Sequence, residues 1–153
     1  MSLIIATGSN QGNSQHFLNE AKKKLCQHFN LIAESRVYHS RAVDYEDQPD
    51  FLNQLLEFNL PALLPEDVLK ILLKIEKDMG RIRNIPKGPR TIDIDIVFWG
   101  CEKFDSDILT IPHPRWFERA FIVKPLHELP YFRVLQNHFS IPSNFSHDAM
   151  PIL

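Results

Sequence analysis

Asp93 and Asp95 stand two residues apart in the run Ile92-Asp93-Ile94-Asp95-Ile96. In an extended strand successive side chains point to opposite faces. Ile92, Ile94 and Ile96 then form one apolar face, and the two acids share the other, roughly 6–7 Å apart at their bases. Carboxylates so close repel unless cations hold them. Such a pair suits magnesium, which keeps several waters and takes one or two protein carboxylates together with substrate phosphates. Two such ions about 3.5–4 Å apart can clamp both sides of a phosphoryl displacement. An Asp-x-Asp pair alone is more often a solvated outer face, and the neighbours decide. Arg81, Arg83, Lys87 and Arg90 fall within ten residues that contain no acid, in a chain whose formal net charge is −2. Arginine's planar fork grips phosphate oxygens in pairs. Acids and cations together point to a nucleoside triphosphate bound with magnesium.

The run Gly8-Ser9-Asn10-Gln11-Gly12 lacks the lysine and hydroxyl of a phosphate-cradling glycine loop. Phosphate binding must therefore rest on arginines and metal. His113, between Pro112 and Pro114, and Arg119 are further candidates for the nucleotide. Phe51 and Asn53 share one face of a predicted strand, where a ring stacks a flat heterocycle and an amide reads its edge. Phe121 is the candidate for a second plate.

Several elements must position these residues. Leu3 to Thr7 reads as a buried strand, stopped by a turn-rich loop over residues 8–13. From about Ser14, Phe17, Ala21, Leu25 and Phe29 recur every fourth residue, which predicts an amphipathic helix. Residues 32–39 read as a second strand. Residues 51–60 read as a third, with Leu52, Leu56, Phe58 and Leu60 on one side and Phe51, Asn53 and Leu55 on the other. Pro65 followed by Glu66 and Asp67 starts a helix carrying Val68, Ile71, Leu72, Ile75 and Met79, which Gly80 can close. The strand bearing the acids runs from about Arg90 to Trp99, and a short helix is expected over residues 115–120. Prolines leave the last thirty residues mostly irregular, with one more short strand. The order strand, helix, strand, strand, helix, strand predicts an α+β, ferredoxin-like βαββαβ antiparallel sheet with helices packed on one face.

The 153 residues are the size of one domain, and 44% hydrophobic against 24% charged is enough to bury a core and keep a wet surface. The charge balance argues against bulk attraction to nucleic acid or membrane. Cys26 and Cys101 fit neither a metal spacing nor a disulfide framework, which suggests a reducing cytoplasm. The N-terminal residues lack the basic flank of a signal peptide, and no stretch approaches membrane-spanning length. The expectation is a cytoplasmic monomer, one domain over residues 1–153.

The chain resembles the 6-hydroxymethyl-7,8-dihydropterin pyrophosphokinase family of folate biosynthesis. The resemblance is carried by Gly8-Ser9-Asn10, the run from Asp47 to Asn53, Ile75-Glu76 through Gly80-Arg81-Ile82-Arg83, Gly88 through Asp95, Ile111-Pro112-His113 and Arg119-Ala120-Phe121. It implies transfer of pyrophosphate from ATP, the co-substrate, to the pterin hydroxymethyl group, releasing AMP. It also implies two magnesium ions on Asp93 and Asp95, with Arg81 and Arg90 joining them in catalysis. Nucleotide contacts are implied at Glu76, Arg81, Arg83, Arg90, Thr110, His113 and Arg119. Pterin contacts are implied at Ser40, Phe51, Asn53 and Phe121. The partners implied are these small molecules. The chain departs from the family pattern at Lys87, where a tryptophan is usual, and at Ile108, Pro114, Leu73 and Arg41-Ala42. Those departures favour one alternative, a catalytically weakened relative that holds pterin or nucleotide. An RNA-binding module, the other alternative, is opposed by two aspartates on the strand that would face a phosphate backbone.

Overall fold

Apolar residues occupy both sides of strand β1 (Ser2–Ser9), and that places it in the interior of the sheet. Leu3 and Ile5 enter one core and Ile4 the other. The computed structural model describes residues 1–42, 47–81 and 90–152. Along the chain follow helix α1 (Ser14–Cys26), β2 (Leu31–Glu34), β3 (Tyr38–Ser40), β4 (Phe51–Asn59), α2 (Pro65–Asp78) and β5 (Asp93–Trp99). The antiparallel sheet has the order β5-β1-β4-β3, with β2 also on β4 and a final strand, named below, beyond β3. This is the expected α+β, ferredoxin-like arrangement.

Helices α1 and α2 pack on one face. Leu18, Ala21 and Leu25 of α1, with Val68, Leu72 and Ile75 of α2, bury against Leu3, Ile5, Leu56, Phe58, Ile94 and Ile96. Asn13 caps α1, its side chain accepting from the His16 N–H. Phe29, expected within the helix, lies beyond its end yet reaches the same core. Gly80 ends α2 with φ +84°, a conformation that suits glycine at a helix C-terminus.

The strand expected over 32–39 is broken in two. Ser35 is buried, and its hydroxyl accepts the Leu55 N–H at 3.0 Å in place of a backbone carbonyl, which interrupts the ladder on β4. The strand bearing the acids begins at Asp93 rather than Arg90, because Arg90 bonds Asn10: its N–H donates to Asn10 Oδ1 at 2.9 Å and its carbonyl accepts from Asn10 N at 3.2 Å.

Residues 116–135 cover the opposite face of the sheet, whereas Phe104, Leu109 and Ile111 pack on the first core. A short hairpin, β6 (Phe104–Asp105) with β7 (Thr110–Ile111), precedes a 3-10 turn at Trp116–Glu118 and helix α3 (Ala120–Leu126). Helix α4 (Phe132–Leu135) and strand β8 (Ala149–Pro151) follow, and β8 is the strand beyond β3. The helix expected over 115–120 is thus a 3-10 turn followed by a helix that begins where it was to end. Pro125 lies inside α3. Burial of Ile122, Val123 and Leu126 against Ile4, Leu55, Val97 and Phe98 outweighs its poor helix propensity.

Strand β5 carries a bulge that positions the site. Ile5 pairs with Ile96 and Ile4 with Phe98, so Val97 is the extra residue. Val97 and Phe98 both enter the second core, while Ile96 and Trp99 enter the first. Among the described residues no helix is long and apolar enough to cross a membrane.

Candidate active site

On the face covered by α3, the apolar packing reaches Val97 and Leu55 but stops short of Asp95 and Asn53. Beyond it lies a cavity of about 360 Å³. Its floor is Ala6, Thr7 and Gly8 of β1, and its walls come from β4, β5 and the start of α3. Asp93 and Asp95 both line it, as strand alternation requires.

The two carboxyls are close enough to share a hydrogen bond. Burial, and then the charge of Asp93, hold Asp95 well above the usual carboxylate range. Burial also pushes Asp93 upward, but the Arg90 and Arg81 guanidinium groups overcome it and leave Asp93 lowered. Arg81 Nη1 donates to Asp93 Oδ1 at 2.7 Å and to Glu76 Oε2 at 2.8 Å, and Arg90 Nη1 lies 3.5 Å from Asp93 Oδ2. Glu76 is buried and its carboxylate also accepts the Ile94 N–H at 2.7 Å. It therefore fixes the strand between the two acids from behind.

Arg41, Arg81, Arg90 and Arg119 line the cavity with the two aspartates, so its walls carry more positive than negative charge. His113 lines it too. The His113 N–H donates to the carbonyl of the bulged Val97 at 2.9 Å, which secures the histidine to the outer edge of β5. Burial, with the charge of Arg119, lowers His113 to about 4, so the imidazole is neutral at pH 7. Its Nδ1 accepts the Arg115 N–H at 3.1 Å, which leaves the proton on Nε2 as a donor.

Phe51 and Phe121 also line the cavity, and each carries an arginine on its ring. The Arg90 guanidinium lies 5.0 Å from the Phe51 centroid and that of Arg119 lies 5.5 Å from the Phe121 centroid. Asn53 is buried, its Nδ2 donating to Ser40 Oγ at 2.8 Å. Gly8 permits this approach, because a Cβ there would lie 3.0 Å from Asn53 Oδ1. One cavity thus gathers two phenyl rings and an amide with two acids and four arginines.

A family model for 7,8-dihydro-6-hydroxymethylpterin-pyrophosphokinase (HPPK) matches residues 4–131. The chain belongs to this family. Among its relatives is the 2-amino-4-hydroxy-6-hydroxymethyldihydropteridine pyrophosphokinase of Bacillus subtilis, 39% identical over 82% of this chain and 75% of that protein. The enzyme of the same name from Aquifex aeolicus is 36% identical over 83% of this chain and 79% of its own length. The folic acid synthesis protein of Pneumocystis carinii is 39% identical over 99% of this chain, which spans only 21% of that protein. A crystal structure of HPPK-DHPS in complex with substrates superposes with a TM-score of 0.63 at 15% identity, over 84% of this chain and 40% of that one. At that identity the likeness concerns the fold.

Within this HPPK chain the structure gathers most of the expected site residues around one cavity. Ser40, Phe51, Asn53, Arg81, Arg90, Asp93, Asp95, His113, Arg119 and Phe121 all line it. Glu76 bonds the backbone of β5 at Ile94 instead, and Thr110 is exposed on β7, its hydroxyl donating to Asp105 at 3.1 Å. Arg83, Lys87 and Gly88 lie outside the described residues. Sequence reasoning missed Arg41 and Gln48, which line the cavity, and Asn10, which is buried beside it. Asn10 Nδ2 donates to Gln48 Oε1 and to the Pro49 carbonyl, both at 2.9 Å, while its Oδ1 accepts from Arg90. It clasps the approach to Phe51 to the approach to Asp93. The only advance signal was Gly8-Ser9-Asn10, a tripeptide too short to interpret alone.

The donor set at Asp93 and Asp95 fits magnesium. All its donors are hard oxygens, and Asp95 is disfavoured as an anion unless a cation compensates it. No cluster of three or more possible ligands exists among the described residues. Two carboxylates leave the remaining positions of an octahedral ion to water and phosphate, which is the habit of magnesium.

Proposed function

We propose that residues 1–153 act as one pyrophosphokinase domain that transfers pyrophosphate from ATP to 6-hydroxymethyl-7,8-dihydropterin, giving the pterin diphosphate and AMP. The observation that carries this reading is a single cavity lined by two phenyl rings, a buried amide, two aspartates and four arginines. The names of the relatives support the activity, and nothing among them favours a non-catalytic binder.

In this reading the pterin ring lies between Phe51 and Phe121, with Asn53 and Ser40 at its edge. The pterin hydroxyl oxygen bonds to the β-phosphorus of ATP as its proton passes to water, the bond from that phosphorus to the α–β bridging oxygen breaks, and the oxygen leaves with AMP. Arg81 and Arg90 neutralise the charge that grows between the two products. Neutral His113 donates from Nε2 to a phosphate oxygen, and Arg119 adds a second cationic contact. Asp93 and Asp95 would hold two magnesium ions, which supply Lewis-acid polarisation of the phosphates and the attacking oxygen. The protein's own part is positioning and charge complementarity, which dominate such transfers. The free thiols of Cys26 and Cys101 support a reducing, cytoplasmic setting.

A coupled assay for AMP with hydroxymethyldihydropterin, ATP and magnesium tests the reading. AMP formation that needs all three components, and stops on chelation, is expected. AMP release independent of the pterin would exclude the transfer.

A further inference from the structure

The match to the family model ends at residue 131, yet the chain beyond it returns to the cavity from outside. In the β8–β3 pairing Ala149 stands opposite Ser40, and the Ile152 N–H donates to the Val37 carbonyl at 2.8 Å. Lys124 of α3 forms an ion pair with Asp148 and donates to the Ala149 carbonyl at 3.2 Å. Ala149 is buried with Tyr38 and Ala120, and Phe121 and Phe145 pack on that cluster. The segment is thereby fixed to β3 on one side and to α3 on the other.

One residue of this segment touches a proposed substrate plate. The His147 ring stacks on Phe121 with centroids 6.5 Å apart and planes inclined by 29°. Phe121 lines the cavity and His147 does not, so the imidazole meets the phenyl ring from outside. His147 Nδ1 lies 3.0 Å from Ser146 Oγ, and Nε2 is buried without a hydrogen-bond partner. A buried polar atom without a partner lowers stability. The contact the histidine makes is therefore one of ring shape and not of polar reach. Phe121 also packs on the Tyr38, Ala120 and Ala149 cluster and carries the guanidinium of Arg119, a long side chain assigned above to the phosphates.

We propose that His147 is a positioning residue for the pterin. It braces Phe121 so that the phenyl face toward the cavity is set before the heterocycle arrives, and it makes the C-terminal segment part of the pterin site. The inference rests on the reading of Phe121 as a pterin plate. A plate that is already fixed loses no rotamer freedom on binding, so the effect belongs to pterin affinity and not to ATP affinity.

The test is a fluorescence titration of hydroxymethyldihydropterin into wild type, His147→Ala and His147→Phe, with a non-hydrolysable ATP analogue and magnesium present. Affinity for the analogue alone is measured in parallel. His147→Ala is expected to weaken pterin binding by about three- to tenfold, the range of one aromatic pair, and to leave analogue binding unchanged. His147→Phe is expected to restore pterin binding and to raise Tm, since the unpaired nitrogen is gone. Equal pterin affinity in wild type and His147→Ala overturns the proposal. So does an equal loss for both ligands, which marks a general structural role, or a failure of His147→Phe to restore binding. Absence of pterin binding by wild type, with the analogue bound, removes the underlying reading of the cavity along with it.

Discussion

Burial and the charge of Asp93 disfavour the anionic form of Asp95, so chemistry and stability pull in opposite directions at this one side chain. A carboxyl raised in the folded state contributes stability that is complete below its unfolded value of about 3.9 and is lost as pH rises through the folded one. Asp95→Asn should therefore match wild type in Tm near pH 4 and exceed it by a few degrees at pH 7–8, without divalent cation. Its AMP formation should fall by about 10²–10³. A melting series over pH with a parallel activity measurement checks both, and a lowered Tm at pH 8 would contradict the charge argument. Gly8 makes a second case. A methyl group there meets Asn53 Oδ1 at 3.0 Å, so Gly8→Ala should raise the pterin KM about tenfold and leave that for ATP unchanged. Asp93, Asp95, Phe51 and Asn53 were legible in the sequence because a period of two assigns strand residues to faces. Asn10 was not, since its partners Gln48 and Arg90 lie 38 and 80 residues away.

The break between β2 and β3 is held open by a cluster that no local pattern announces. Glu128, just past α3, accepts from the Arg36 N–H at 2.8 Å, from the Arg36 guanidinium and from the Tyr38 hydroxyl. Burial pushes the Glu128 carboxyl up, but these bonds, that of the Arg36 backbone foremost, leave it lowered. Burial and the same glutamate raise the Tyr38 phenol to about 12. A lowered carboxyl contributes stability that is present above its unfolded value and is lost as pH falls through the folded one. Glu128→Gln should thus melt a few degrees below wild type at pH 7, and the gap should close below about pH 4. A gap that stays constant with pH would assign the effect to shape alone. Helices α1 and α2 were legible because their apolar residues keep one period over three turns or more. The helices α3 and α4 were not, being too short to show a period, with Pro125 inside the first; β8 is the one further short strand expected in the last thirty residues, although no pattern gave its bounds.

The two apolar cores lie on opposite faces of one sheet, and the cavity opens where the second of them ends. The βαββαβ order could be read from the sequence, since each of its elements carries its own pattern. The covering of the second face could not, because it depends on residues from Trp116 to Leu135 finding β1, β4 and β5 at long range. If the site is complete in one chain, light scattering after gel filtration should return a mass near 17.8 kDa at micromolar concentration, in the presence and absence of both substrates. A mass of twice that value would show that a second copy belongs to the working enzyme.

The bulge at Val97 works like a phase shift halfway along a wave. Upstream of it every second residue is an acid lining the cavity; at the bulge, two neighbouring residues fill the same greasy layer. Excising Val97 would bring the strand back to strict alternation. Asp93, Asp95 and Phe98 would keep one face and Ile94, Ile96 and Trp99 the other, so the loss would fall on His113, whose N–H is held by the Val97 carbonyl.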